Sequence, residues 1–468
     1  MGRMRSGRRR SWTGVVLALA IWPAIWLSCG GVSAAATCVY DVRPDASAGF
    51  PDLALRLEIR CDAPLRPEDF HFGHGGDGYA DWDRTAPLAV RVRLGERAGA
   101  GGRGDFAATP HGVLAPISAW LPAPRPAAGV DRLEIAIRPA AGVHASTNLR
   151  LSDGRLLLRR DDWRFAGYSA FADRPPLRAR APGPAAFAAP GRDGPATAEI
   201  AIAVLDEGFE MSDAAFAAWV ERFSGLIARF WAGFPTDRLL IAIAPGGRPQ
   251  NPFGRVRGGG GPTMMLRLWK PETPDFLHER DWVLTHELIH LAAPFAPARP
   301  PWFMEGMATY LEPLIRALGG ARREDQVWAE WLRAMPTGAY GLATTGLDGG
   351  GHAYWTGALY FLLAHVELAR RGDETGLARC FRSIRAELGD ASERATVDDL
   401  IAVCDRALGA PVLATLHQRR AGPADIDLPA LWRELGISAK DEAIGYAETG
   451  RDLRRTIFGV RQFTNSQP

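Results

Sequence analysis

Lysine is nearly absent from this chain of 468 residues: Lys270 and Lys440 are the only two, and arginine supplies the rest of the positive charge. Basic and acidic side chains almost cancel, 55 against 53, for a formal charge of +2. A general nucleic-acid binder would show a concentrated basic excess, so a nucleic-acid partner is not expected. The arginines accompany 52 glycines and 35 prolines as a mark of coding bias, and are not read as a phosphate-binding signal. No internal repeat is present. Beyond Leu27 no apolar run is long enough to cross a bilayer. What is present is an ordinary globular balance, 47% hydrophobic and 23% charged, which excludes wholesale disorder. At roughly 150 residues per domain, the length suggests about three domains.

Residues 1–36 read as a signal peptide. Arg3, Arg5, Arg8, Arg9 and Arg10 make a positive start, Trp12 to Leu27 an apolar middle, and Val32-Ser33-Ala34-Ala35-Ala36 a small-residue end. Cleavage is expected after Ala34 or Ala36. An uncleaved anchor is the alternative, although the run is short for a span and broken by Pro23. The protein is therefore expected to be secreted or periplasmic, touching a membrane only through that segment. Removing it takes the cysteines from five to four, Cys38, Cys61, Cys380 and Cys404. Of three possible connectivities, the sequence-local one pairs Cys38 with Cys61 and Cys380 with Cys404; four buried thiols are the alternative.

The pattern beyond the leader predicts a multidomain α+β chain. Residues 37–172 hold alternating runs such as Leu53 to Ile59, Leu88 to Leu94 and Leu133 to Ile137, punctuated by Gly, Pro and Asp. They predict an N-terminal antiparallel β domain. His71, His74, His111 and His144 are scattered through it and read as surface or loop histidines. Residues 173–197, rich in Pro, Ala, Gly and Arg, read as a linker. Residues 198–320 alternate strand and helix patterns, with strands expected at Ala198 to Leu205, Arg238 to Ala244 and Thr263 to Leu268. Residues 321–468 read as a helical C-terminal domain, and Thr396 with Asp399 suggests a capping box.

The chemistry is concentrated at Thr285-His286-Glu287-Leu288-Ile289-His290. On a helix, His286 and His290 lie one turn apart, about 6 Å along the axis, on one face. Two imidazoles so placed can bind one Zn²⁺. Glu287, about 100° round the helix, is turned to act as general base. A third ligand comes from Trp302-Phe303-Met304-Glu305-Gly306-Met307-Ala308-Thr309-Tyr310-Leu311-Glu312. Prolines before it favour a helix start, so this segment folds back and brings Glu305 to the histidines. Glu312, seven residues on, would accept a ligand histidine's ring N–H; a solvated helix residue is the alternative.

H-E-x-x-H followed by W-F-x-E-G-x-A-x-Y-x-E resembles the gluzincin metallopeptidases, in particular the membrane alanyl and glycyl aminopeptidase families. Ala353-Tyr354-Trp355-Thr356-Gly357-Ala358 is similar to their Y-x-K-G-A element. The resemblance spans roughly residues 198 to 460 and implies a thermolysin-like α/β zinc catalytic domain. It implies that Tyr354 stabilises the oxyanion beside the general base Glu287, with zinc on His286, His290 and Glu305. His352, two residues before Tyr354, is the alternative donor.

Three departures accompany the resemblance. Only fourteen residues, Leu291 to Met304, separate His290 from Glu305, as in shorter peptidase-MA-like members. Thr356 replaces the lysine of Y-x-K-G-A. The families' G-x-M-E-N element, whose glutamate holds a substrate amine, corresponds to Gly258-Gly259-Gly260-Gly261-Pro262-Thr263-Met264-Met265, which has no acid. Its strand could still pair with a peptide backbone. The sequence thus points to a zinc metallopeptidase acting on a peptide or protein. A non-catalytic peptide- or envelope-binding protein and a zinc hydrolase of a non-peptide bond are the alternatives. His365 reads as a core histidine, and His278 and His417 have no evident partners.

Overall fold

A computed structural model describes residues 36–459 apart from 84, 86, 87, 101–103, 188–193, 247, 250, 281, 298, 299, 351, 441 and 442. The leader expected at residues 1–36 therefore lies outside the described residues but for Ala36, which opens the first strand. Among the described residues, no helix is long and apolar enough to cross a membrane.

The β region forms two larger sheets, besides a short pairing of Phe70–His71 with Ala123–Pro124. Seven strands make the larger one, with Ala36–Asp45 at its centre. That strand is antiparallel to Ala54–Cys61 but parallel to Val130–Ile137, so the sheet is mixed where a purely antiparallel one was expected. The alternation seen in the sequence sends Tyr40, Val42, Leu55, Leu57, Val90, Val92, Leu133 and Ile135 into one core. Cys38 faces Cys61 in adjacent register, and a disulfide joins them. A smaller sheet aligns His144–Ser146, Tyr168–Ala172, Gly112–Pro116 and Ala107–Thr109.

The next sheet positions the candidate site. Its strands run in the order Leu177–Pro182, Thr197–Val204, Arg238–Pro245, Thr263–Leu268 and Phe253–Arg257. The three inner strands are parallel and both outer ones antiparallel. Two elements differ from the sequence expectation. Leu177–Pro182, inside the stretch read as a linker, pairs along its whole length with Thr197–Val204. Phe253–Arg257, which lies between the strands expected at Arg238 to Ala244 and Thr263 to Leu268, is the edge strand. Thr263–Leu268 is bonded on both sides, so it has no edge left to offer a peptide.

Both faces of this sheet are covered, by different means. Ile200, Ile202, Ile241, Ile243, Met264 and Leu266 pack with the helix Asp213–Trp231, whose first turn is capped by Ser212. The opposite face is made of small residues, Ala203, Ala242 and Ala244 with Leu240 and Met265. These meet Leu114, Tyr168, Ala170 and Ala172 of the smaller β sheet. Beyond residue 320 the chain is helical except for the hairpin Ile437–Lys440/Ala443–Tyr446. Its helices share one continuous core with the central sheet. The capping box at Thr396 forms, and Cys380 is bonded to Cys404.

Candidate active site

The motif helix Val283–His290 is short and almost wholly buried. Val283, Leu284, Leu288 and Ile289 enter the core, which leaves His286 and His290 on the remaining face. Their rings stand 4.9 Å apart and nearly perpendicular. The next helix, Trp302–Leu318, starts after Pro301 and returns along the first. It brings Glu305 Oε2 to 3.2 Å from His286 Nε2 and 3.6 Å from His290 Nε2.

These spacings can be tested against a metal. Two ligand atoms each about 2.0–2.1 Å from a tetrahedral zinc lie roughly 3.3 Å apart. The three ligand atoms lie within 4.8 Å of one another, with no other such cluster among the described residues. Two neutral imidazole nitrogens and one carboxylate are also the donor set of open zinc sites. The residues fit a zinc ion.

Electrostatics follows from burial against pairing. Burial pushes the Glu305 carboxyl up, but the two imidazoles outweigh it and hold it well below the carboxylate range. Burial pushes the His290 imidazole down, and Glu305 outweighs that too, leaving it above its ordinary value. For His286 burial wins and the shift is downward. Glu287, 6% exposed, is pushed up to about 7, chiefly by burial. It lies against the edge strand: a methyl on Gly254 would stand 2.5 Å from Glu287 Cγ. Only glycine lets the strand approach the carboxylate so closely.

Tyr354 is the second residue of the helix Ala353–Arg370, whose N-cap His352 is in left-handed conformation (φ 54°). Its ring stacks near that of His286, with centroids 6.0 Å apart. It is 49% exposed and lines one cleft with Glu287, His290 and Glu305. Burial, then the charges of Glu305 and Glu287, pushes its hydroxyl up, so it stays protonated and able to donate. His352 lies instead against Tyr340, and does not line that cleft.

The two glycines in the helix motifs meet each other. A methyl on Gly306 would stand 2.4 Å from Gly357 Cα, and one on Gly357 would stand 2.0 Å from the Trp302 carbonyl oxygen. The glycine after Glu305 and the glycine three after Tyr354 thus let their helices cross in contact, fixing ligand and hydroxyl relative to each other.

No family model matches this chain, and no curated protein matches it. Its fold does match solved structures. An aminopeptidase N family protein from Idiomarina loihiensis aligns over 88% of this chain and 82% of its own, at 11% identity, with a TM-score of 0.58. An M1 zinc metallopeptidase from Deinococcus radiodurans aligns over 84% of this chain and 94% of its own, at 15% identity, with a TM-score of 0.42. The first likeness shows an aminopeptidase-like fold.

Other residues differ from expectation. Glu312 is buried and accepts a hydrogen bond from Arg316 Nη1 at 2.9 Å, where a ligand histidine was expected to donate. His74, read as a surface or loop residue, lines the cleft. His417 stands 3.3 Å from Asp348 and His278 3.3 Å from Arg222, so both have partners. His365 is buried against the Tyr310 hydroxyl at 2.8 Å, as a core histidine. Sequence reasoning missed the cleft wall made by Arg255 and Arg257 of the edge strand, with Arg164 and Phe165 of the β region and Arg394 of a C-terminal loop. The alternation in Phe253-Gly254-Arg255-Val256-Arg257 was the available signal.

Proposed function

We propose that this chain is an exported zinc-dependent peptidase with a gluzincin ligand set. The observation that carries the reading is the convergence of His286, His290 and Glu305, with ligand atoms within 4.8 Å of one another, beside a cleft that His290 and Glu305 line with Glu287 and Tyr354. Zinc bound by those three would supply Lewis acidity and lower the pKa of a coordinated water to about 7. Glu287 accepts the proton of the attacking water, and its buried carboxyl, at about 7, suits a base working near neutrality. The same carboxyl then hands that proton to the leaving amine. Tyr354 donates its hydroxyl proton in a hydrogen bond to the substrate carbonyl oxygen as charge develops there.

A cleft of about 670 Å³ beside these residues has room for a short stretch of peptide. Two disulfides and the leader read in residues 1–36 support a secreted or periplasmic location. The deciding experiment measures zinc by elemental analysis and profiles cleavage of a peptide library with and without chelator. Stoichiometric zinc and chelator-sensitive cleavage are expected. Glu287→Gln should keep the zinc and lose the cleavage; wild-type turnover in that variant would sink the assignment of the base.

A further inference from the structure

The edge strand Phe253–Arg257 borders the cleft for its whole length. Residues alternate between its faces, so Gly254 and Val256 turn to the motif helix while Arg255 and Arg257 share the other side. Each arginine is held from behind by the β region. Arg255 Nη1 donates to Asp105 Oδ1 at 2.8 Å, and the Tyr168 hydroxyl donates to the same oxygen at 2.6 Å. Asp105 is only 7% exposed, so this anchor is a built one. Arg255 nevertheless lines the same cleft as Glu287 and Tyr354.

Arg257 is held differently. Its Nε donates to the Ala166 carbonyl at 2.9 Å and its Nη2 to the Arg164 carbonyl at 2.8 Å. Its third contact, at 3.4 Å, is the His74 ring. All three partners are uncharged when His74 is neutral, and burial together with Arg257 keeps that imidazole below its ordinary value. The guanidinium is thus fixed in place by groups that carry no negative charge, the Tyr168 ring at 5.8 Å among them.

Among the described residues, the acids that line the cleft away from Glu287 and Glu305 are Asp162 and Glu393. Asp162 accepts a hydrogen bond from Arg159 at 2.6 Å, with Arg394 a further 3.9 Å contact. Glu393 is exposed at the rim. A substrate α-amine would therefore meet two arginines where it would need an acid, whereas a carboxylate would meet a pre-positioned pair of forks. An arginine already immobilised loses little entropy on binding an anion, and charge-assisted bonds of this type are the strong ones.

We propose that Arg255 and Arg257 form the specificity wall of the cleft, and that they select peptides carrying a carboxylate next to the bond to be cut. This rests on the peptidase reading only for what happens to the bound peptide. The carboxylate has two possible sources, an Asp or Glu side chain or the peptide's own C-terminus.

The test is binding to full-length, zinc-loaded Glu287→Gln protein by titration calorimetry, with turnover by the wild type beside it. Four acetylated peptides serve as probes: Glu against Gln at the central position, and C-terminal acid against amide. A fifth, with a free N-terminus and otherwise neutral, probes the amine. A carboxylate-bearing peptide should bind roughly tenfold to a hundredfold more tightly than its neutral partner. Which pair shows the gap identifies the source. Arg257→Gln should remove most of the gap between carboxylate-bearing and neutral peptides, and Arg257→Lys should restore part of it. Arg255→Gln strands the buried Asp105 and could unfold the protein, so Arg257 carries the decision. Equal binding within both pairs would overturn the proposal. So would tighter binding of the free-amine peptide that is lost in Glu393→Gln. Selective binding without wild-type cleavage would refute the peptidase reading and leave the wall standing; cleavage indifferent to the carboxylate would do the reverse.

Discussion

Tyr354 and His352 are two residues apart and share a pocket with His286, yet only Tyr354 also lines the cleft that holds Glu287. His352 takes the left-handed conformation that starts the helix and lies against Tyr340, while Tyr354, on the helix, reaches the cleft. Losing one oxyanion donor typically costs 10²–10³ in kcat, or about 3–4 kcal/mol. Tyr354→Phe should show that loss in steady-state kinetics, with zinc content and KM little changed, and His352→Ala should lose much less. The reverse ranking would transfer the role to His352. A second expectation concerns protons at His290. Glu305 outweighs burial there and raises the imidazole above its ordinary value. Below that raised pKa the ring holds a proton, and zinc takes only the neutral form. Metal binding should then expel a proton, and apparent zinc affinity should fall as pH falls through this range. Competition with a chromophoric chelator at several pH values, with proton release followed in weak buffer, measures both. A pH-independent affinity would show that His290 is not a ligand.

Between elements, the decisive contact is the crossing of Gly306 and Gly357. Neither position has room for a methyl, and each is adjacent to the chemistry: Glu305 precedes one, and Tyr354 sits one turn before the other. Gly306→Ala should push the two helices apart and displace ligand and hydroxyl together, lowering zinc affinity and kcat in the same protein. Overpacking of this kind costs about 1–3 kcal/mol, so the fold should survive by circular dichroism. Retention of wild-type zinc affinity would show that the crossing is not what positions Glu305. Motifs of this sort were legible because both ends of each lie within one helix, where spacing alone sets the face. The strand Phe253–Arg257 showed only a short alternation, for the opposite reason. Its pairing partner Thr263–Leu268 supplies the strand geometry, and its glycine is dictated by the Glu287 side chain from another element. Leu177–Pro182 was hidden likewise, since its proline-rich surroundings read as linker until Thr197–Val204 pairs with it. The positions of Glu287 and Glu305 could be read from the chain, whereas the wall opposite them could not, because Arg255 depends on Asp105, 150 residues away.

At the scale of the whole molecule, the two disulfides are equivalent in sequence separation, 23 and 24 residues, but not in what they brace. A loop of that size gives each about 3 kcal/mol of stabilisation in the chain-entropy model. Cys38–Cys61 ties two neighbouring strands of the large β sheet, which their own ladder already holds. Cys380–Cys404 ties the helices Gly376–Leu388 and Val397–Leu408, and the loop between them forms part of the cleft through Ala391, Ser392, Glu393 and Arg394. That loop is laced to the segment after the motif helix: Ala391 N donates to Leu291 O at 3.2 Å and Phe295 N donates to Glu393 O at 2.9 Å. Loosening the second disulfide should therefore reach the substrate, while loosening the first should reach only stability. The paired variants Cys38→Ser/Cys61→Ser and Cys380→Ser/Cys404→Ser should both melt earlier. Only the second should raise KM several-fold while keeping its zinc, because the motif helix is held chiefly by the core packing of Val283, Leu284, Leu288 and Ile289. If both variants kept the wild-type KM, the loop would be held by its backbone hydrogen bonds alone, and the disulfide would be a brace for the helices without consequence for the cleft.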